Sequence, residues 1–286
     1  MSFKSKVKAY RNKPFSLLIK LITTLAAIIT LGVILLIVLY ILIKGVPHIK
    51  PSLFSLTYTT ENVSLMPALV NTLIIVALSL VAAAPIGIFS AIYLAEYAKK
   101  GNKIVSIIRL TSETLSGVPS IVYGLFGMLF FVTTLGLGFS ILSGALTLTI
   151  MILPLIMRTT EEALLSVPDT YREASFGLGA GRLRTVFRVV LPAASPGILA
   201  GIILAIGRIV GESAALLYTA GSVAKIPNSL TSSGRTLSVH MYALSSEGLY
   251  TNEAYATAVV LLLFVLVING LSSLVASKLT KGRRNG

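Results

Sequence analysis

Arg208 and Glu212 are the residues of this sequence whose types and spacing best suit ligand chemistry. They lie four positions apart in an apolar segment that covers about residues 196–220. Arginine offers forked donors to the oxygens of an oxyanion, and a charge isolated at mid-bilayer costs at least about 2.5–3.5 kcal/mol. We therefore expect both side chains to face the interior of a helix bundle and to line a translocation pathway. The alternative is a buried ion pair that only fixes helix packing.

Several other chemistries are excluded by composition and motif. The sequence has no cysteine, which rules out disulfides, thiolate chemistry and zinc–cysteine sites. His48 and His240 have no second metal-type ligand at a recognisable spacing, so we expect surface or loop roles for both, and no metal or cofactor. The glycine run at 177–182 lacks the Lys-Ser/Thr of a P-loop. The chain therefore cannot hydrolyse ATP in that manner by itself.

The elements that must position these residues are long apolar helices. The chain is 55% hydrophobic and 12% charged, about half the charged fraction of an ordinary soluble domain. A bilayer crossing needs about 20 apolar residues, so we predict an all-α, polytopic membrane protein with six transmembrane helices. The predicted spans are residues 17–43, 66–97, 111–135, 140–157, 196–220 and 255–277. Pro85 should kink the second, Gly117 and Pro119 should break the start of the third, and Pro154 should interrupt the fourth.

The basic residues predict the orientation. A net charge of +14 could suit nucleic acid, but the Lys and Arg residues lie at the ends of the apolar runs, so no nucleic-acid partner is expected. Nineteen of the 24 fall on the side of both termini, and cytoplasmic loops carry such an excess. We therefore predict cytoplasmic tails at 1–16 and 278–286, a permease core at 64–277, and basic contacts with membrane lipid.

Residues 158–192 form the longest polar stretch between two apolar runs. Thr170 and Glu173 have the spacing of a capping box and predict the start of a short helix. The helix should end at Gly179 or Gly181, because glycine accepts the left-handed conformation that terminates helices.

A second short helix is predicted from about residue 182 to residue 190. Its apolar face would be Leu183, Val186, Phe187 and Val190, with the arginines at 182, 184 and 188 off that face. This amphipathic pattern is typical of a helix that lies on a membrane surface or in a partner's groove. Pro192 should then disrupt the helical hydrogen bonding before the next span.

The same stretch carries a longer pattern. Glu173-Ala174-Ser175 is followed by Gly179, Val189 and Leu191-Pro192. This resembles the cytoplasmic coupling loop of permease subunits in ABC-type importers, with Ser175 replacing an alanine and Val189 an isoleucine. The resemblance implies a type I ABC importer permease fold and docking on a nucleotide-binding subunit. The residues it implicates in coupling to the ATPase are Thr170, Tyr171, Arg172, Glu173, Ala174, Ser175, Gly179, Leu191 and Pro192.

Further segments resemble the phosphate-specific, PstA-type permeases. They are residues 117–125, 153–162, 167–174, 207–219 and 237–241. The resemblance implies import of inorganic phosphate with a PstC-like permease, a PstB-like ATPase dimer and a PstS-like phosphate-binding protein. Two alternatives stay open: a permease for another oxyanion or small solute, and an ion-coupled secondary carrier that needs no ATPase.

Small residues recur along the fifth predicted span. Gly197 and Gly201 are four positions apart, as are Gly207 and Gly211, and such spacing lets transmembrane backbones approach closely. These glycines are therefore candidate contacts with a second permease. On one continuous helix the first pair would share a polar stripe with Arg208 and Glu212.

Overall fold

The computed structural model describes residues 14–99 and 101–281, and this part of the chain is helical, with no strand. The α-helices are α1 (Pro14–Gly45), α2 (Met66–Ile92), α3 (Lys103–Ser116), α4 (Ser120–Gly127), α5 (Ile141–Leu165), α6 (Asp169–Gly177), α7 (Arg182–Thr185), α8 (Leu191–Gly211), α9 (Ala214–Leu217), α10 (Leu237–Glu247) and α11 (Thr251–Lys281). Helical turns of the wider π type, Tyr93–Tyr97, Met128–Thr134 and Val186–Val190, follow α2, α4 and α7. Most of the two predicted tails lies outside the described residues.

The prediction of an all-α, multi-pass membrane protein is confirmed. Five helices of the described part are long and apolar enough to cross a membrane, and a bent pair can form a sixth span. The bent pair joins α3 to the helix Ser120–Thr134 at an angle of 102°. The bend falls at Gly117–Pro119, where the sequence predicted a break, and Pro119 has the extended conformation that starts α4.

The core of the bundle is built from α2, α5 and α8. Its largest fully buried side chains include Ile75, Leu148, Ile152 and Ile209. The apolar stretch of α5 is 61% buried, against none of α1, so α5 is the central helix and α1 lies outside, against α11. The helices α2 and α5 run from the end of the bundle at α10 to the end at α6, and α8 runs in the opposite direction. Thr72 near the start of α2 contacts α10 and Glu96 after its end contacts α6, whereas α8 starts after α7 and ends beside Ser238 of α10.

The prediction that Pro154 interrupts its span is wrong, whereas the kink at Pro85 stays a prediction. Pro85 and Pro154 lie inside α2 and α5, which continue through them, and α5 runs on to Leu165. Transmembrane helices tolerate proline because neighbouring groups satisfy the freed carbonyl. Pro192 lies in the first turn of α8, directly after a π turn, so the helical hydrogen bonding changes next to it as predicted.

The close approach predicted for Gly197 and Gly201 occurs, but within this chain. A Cβ atom on Gly197 would lie 2.6 Å from the Cβ of Ala163, and one on Gly201 would overlap the Thr159 side chain. The first glycine pair therefore packs α8 onto α5, which corrects the prediction of a contact with a second subunit. A Cβ on Gly207 or Gly211 would meet nothing within 4 Å.

Gly201→Leu is consequently expected to destabilise the fold itself. Overpacking a close helix contact costs about 1–3 kcal/mol or more, and α5 cannot retreat because it is the most enclosed helix. The melting midpoint of the detergent-solubilised protein should fall clearly, whereas Gly207→Ala should leave it near the wild-type value. An unchanged midpoint for Gly201→Leu would contradict this packing.

The connection before the last span folds against α2. The Asn71 amide donates to the carbonyls of Lys225 and Arg235, and the Arg235 guanidinium lies 4.7 Å from the centre of the Tyr58 ring. His240 on α10 is fully buried, so the predicted surface or loop role for this histidine is wrong. The sequence gives no local signal for its burial, because the side chains that cover it come from distant segments.

His240 makes stability depend on pH. Burial, together with the nearby Arg235 charge, lowers the pKa of His240 from 6.5 to about 3. The unfolded chain then binds the proton more readily, so the free energy of unfolding is highest above pH 6.5 and falls as the pH approaches 3. By pH 5 the loss should be about 2 kcal/mol, at 1.36 kcal/mol for each unit of pKa difference.

The check is the melting midpoint measured between pH 7 and pH 5. His240→Gln, which cannot titrate, should flatten the decline, and His48→Gln should keep it. An equally steep decline in His240→Gln would rule out His240 as its source.

Candidate functional site: the coupling segment and the Arg208 region

The helix α6 lies in the polar stretch, but its start differs from the predicted capping box. It begins at Asp169 after Pro168, and no side chain caps it. Thr170 and Glu173 both lie inside the helix with exposed side chains. The physical reason is that proline presets the backbone for a helix start and the Asp169 carboxylate favours the positive helix end.

The end of α6 is formed as the sequence predicted. Gly179 has φ +81°, a conformation that strains any residue with a Cβ. The amides of Leu178, Gly179 and Ala180 donate to the carbonyls of residues 174–176. Gly179 therefore reverses the chain immediately after the helix.

One face of α6 is fastened to the helix bundle. The Arg172 guanidinium donates to the Glu96 carboxylate at 2.6 Å, and also to the carbonyl oxygens of Leu164 and Val167. The bond to Glu96 raises the pKa of Arg172 above its ordinary value. The Ser175 hydroxyl bonds the Thr185 hydroxyl at 2.8 Å, which joins α6 to α7.

The rest of the surface of α6, together with the residue that follows the helix, is exposed and partly apolar. Tyr171, Phe176 and Leu178 expose 52%, 47% and 89% of their surface, beside the exposed Glu173 and Ala174. Large apolar side chains clustered with polar ones are typical of a protein-docking surface. Within the described ranges no group of three His, Asp or Glu side chains could hold a metal.

The second short helix is continuous with the next span. Helical structure runs from Arg182 to Gly211. Val186 and Val190 are buried, but Leu183 and Phe187 are exposed, so the predicted apolar face is divided between the core and the surface. Leu191 and Pro192, the last residues of the pattern, are half-buried at the start of α8.

Arg208 and Glu212 do not form the predicted stripe. The helix α8 ends at Gly211, and Glu212 has an extended backbone with φ −75° and ψ 125°. Its carboxylate accepts a hydrogen bond from the Ala215 amide at 3.1 Å. The side chain of Glu212 thus caps α9 and does not pair with Arg208.

Arg208 keeps a charge without a carboxylate partner. It is half-buried in the last turn of α8, where the negative end of the helix dipole favours a cation. Among the described residues no acidic side chain lies within ion-pair distance of it. Tyr123 of α4 is close enough to Arg208 to interact with its charge.

Helix breaks surround this arginine. The break before α4 and the break between α8 and α9 belong to neighbouring elements, because a Cβ on Gly124 would lie 2.8 Å from the Cα of Ala215. Irregular backbone at membrane depth is tolerated where it is buried in protein or lines a cavity. The arrangement therefore places a cation that has no carboxylate partner among the described residues next to a helix break, where it can bind an anion.

Sequence reasoning missed the buried ion-pair partner Glu96. It lies at the end of an apolar run, where a carboxylate is ordinarily solvated, and its partner Arg172 is 76 positions away. A carboxylate one residue before the predicted end of a span was the available signal.

Comparisons with known proteins agree with this architecture. Residues 83–282 match the family of binding-protein-dependent transport system inner membrane components. The chain is 37% identical over 268 residues to the probable ABC transporter permease protein YqgI of Bacillus subtilis, covering 84% of this chain and 89% of that protein. It is 35% identical over 230 residues to the phosphate transport system permease protein PstA of Haemophilus influenzae, covering 79% and 81%.

A solved structure shows the same fold at low identity. It is the crystal structure of a bacterial ABC transporter involved in the import of the acidic polysaccharide alginate, with a TM-score of 0.60 and 19% identity. The match covers 96% of this chain and 99% of that chain. From its multi-pass helical fold and these matches, the chain belongs to the family of binding-protein-dependent transport system inner membrane components.

Proposed function

We propose that this chain is a transmembrane permease subunit of an ABC importer for inorganic phosphate, driven by ATP hydrolysis on separate subunits. Membership of the importer family supports the permease role. The relative from Haemophilus influenzae is named a phosphate transport system permease, which supports phosphate as the substrate. The observation in the structure that carries the proposal is the half-buried cation of Arg208, which has no carboxylate partner among the described residues.

Arg208 provides the translocation step with an anion contact. Its fork suits two phosphate oxygens, and the end of α8 lies within one turn of it. Glu212 shapes the pathway by holding α9 in place, and its negative charge at the same level disfavours the residence of a free anion. Arg208 thus attracts the phosphate and Glu212, close to it, repels it. The anion can therefore bind and leave again, as conduction requires.

The exposed face of α6 is the docking element for the ATPase. Tyr171, Glu173, Ala174 and Phe176 present a compact surface to a groove, and Gly179 lets the chain turn away closely. Both termini and this loop are cytoplasmic in the proposal, as the excess of Lys and Arg on that side indicates. The basic residues also contact anionic membrane lipid.

The assembly consists of this chain, a PstC-like permease, a PstB-like ATPase dimer and a PstS-like phosphate-binding protein. The largely exposed α1 and the open space at Gly207 and Gly211 provide surfaces for the second permease. A homodimer of this chain is the alternative assembly.

Copurification from the native membrane tests the proposal. A tagged chain should retain an ATPase and a second permease, and ATP hydrolysis by the complex should rise when phosphate-loaded binding protein is added. Sulfate-loaded or solute-loaded binding proteins of other systems should give no rise. Stimulation by a different solute, with none by phosphate, would replace phosphate as the substrate and keep the importer role.

A further inference from the structure

The π turn Tyr93–Tyr97, which follows α2, contacts the polar stretch 158–192 through two consecutive residues, Glu96 and Tyr97. The Glu96 carboxylate accepts a hydrogen bond from Arg172 Nη2 with an N···O distance of 2.6 Å. It also accepts two longer hydrogen bonds from Arg172 Nε, at 3.2 and 3.3 Å. The two side chains are 8% and 15% exposed. The next residue, Tyr97, lies under the Arg182 guanidinium, 5.2 Å from the ring centre.

These contacts fix both ends of the loop that contains α6. Arg172 is in the second turn of α6, and Arg182 begins α7. Other contacts also fasten α6: Arg172 bonds the carbonyls of Leu164 and Val167, and the buried Ser175 bonds Thr185 of α7. A cleft of about 830 Å³ lined by Glu96, Tyr97 and Arg182 opens at the π turn. The Glu96–Arg172 pair is therefore a direct contact through which a displacement of α6 reaches the end of α2.

The helix α2 extends from this turn to the opposite end of the bundle. There Asn71 and Thr72 hold the segment before α10 through hydrogen bonds to Arg235 and Leu237. A rigid helix with a fastened element at each end is a physical route for coupling between distant sites. The wider π turn is an adjustable point in that route, and such turns occur often at functional sites.

We propose that Glu96 is a positioning residue for energy coupling, which acts through Arg172 to transmit the movement of α6 to α2. The proposal rests on the proposed function in one respect, that α6 docks on an ATPase. Glu96 itself contacts neither nucleotide nor substrate. A residue that only stabilised the fold would lower the amount of complex without changing the number of phosphates moved per ATP.

The first experiment compares variants of the full complex in proteoliposomes. Glu96→Gln keeps the shape and removes the charge, so assembly and basal ATP hydrolysis should persist while phosphate moved per ATP falls about tenfold, within the range usual for coupling between sites. Glu96→Asp retains the carboxylate and should recover most of the ratio. The matched control is Glu113→Gln, an exposed carboxylate 3.8 Å from Arg158, which should behave as wild type.

The second experiment needs no substrate. The chain has no cysteine, so spin labels at Phe89→Cys and Leu178→Cys report the distance between α2 and the end of α6 in the purified full chain. Wild type should give one narrow distance distribution, and Glu96→Gln should broaden it. This readout separates the two proposals, since a chain that transported no phosphate would still show whether Glu96 positions α6.

An unchanged transport ratio together with an unchanged distance distribution in Glu96→Gln would overturn the proposal. A parallel loss of complex and of every activity, with the ratio preserved, would do the same and assign a structural role. If Glu96→Gln fails to fold, Arg172→Lys is the second variant: it keeps the charge but loses the fork, and it should lower the ratio in the same direction.

Discussion

Replacing Arg208 by glutamine is expected to lower phosphate uptake about 100-fold while the complex remains assembled. The estimate follows from the loss of two charge-assisted hydrogen bonds, each worth about 1.5–3 kcal/mol. Assembly should survive because Arg208 has no ion-pair partner among the described residues. The measurement is uptake of radiolabelled phosphate by cells without another phosphate importer, normalised to the amount of complex in the membrane.

Three variants separate the charge, the fork and the position of this residue. Arg208→Lys keeps the charge without the fork and should retain a fraction of the uptake. Lys225→Gln removes an exposed cation near α10 and should transport normally. Glu212→Gln keeps an oxygen that can accept from the Ala215 amide, so it tests the charge of Glu212 apart from its capping role. Normal uptake by Arg208→Gln would remove Arg208 from the pathway.

A bulky residue at Gly179 should uncouple ATP hydrolysis from transport. The φ of +81° costs a residue with a Cβ about 1–2 kcal/mol, so Gly179→Leu is expected to rearrange the turn and tilt the exposed face of α6. The protein should still insert, because no Cβ contact lies within 4 Å of this glycine. ATP hydrolysed per phosphate transported is the quantity to measure, and it should rise about tenfold, as the strain predicts.

The controls for Gly179 distinguish backbone strain from side-chain bulk. Asparagine tolerates the left-handed conformation better than other residues with a Cβ, so Gly179→Asn should retain most coupling. Gly181 has φ −74°, and Gly181→Ala should be close to wild type. Equal coupling in Gly179→Leu and wild type would mean that the turn only joins two spans.

The helices themselves were predictable because apolar length is a local property. Residues 66–97 were assigned to a span from composition alone, and the structure gives helical turns over the same range. The break at Gly117–Pro119 was predictable for the same reason, since glycine and proline act on their own backbone. Gly179 belongs to this group as well.

The predictions that failed depended on how a segment continues or on what packs against it. The Arg208–Glu212 stripe required a continuous helix, but the Glu212 carboxylate finds a better partner in the amide of Ala215. His240 looked like a loop residue because the segments that bury it are remote in sequence. The Gly197 and Gly201 spacing correctly indicated a close approach, but spacing carries no information on whether the approaching helix belongs to the same chain.

ATP-driven phosphate uptake by the purified complex in proteoliposomes is the most direct measurement of the central claim. With phosphate-loaded binding protein on one side of the membrane and ATP available to the ATPase, labelled phosphate should accumulate against its gradient. Accumulation should stop when ATP is replaced by a non-hydrolysable analogue, and no proton or sodium gradient should restore it. Accumulation driven by an ion gradient in vesicles that contain this chain without an ATPase would contradict the account and identify a secondary carrier.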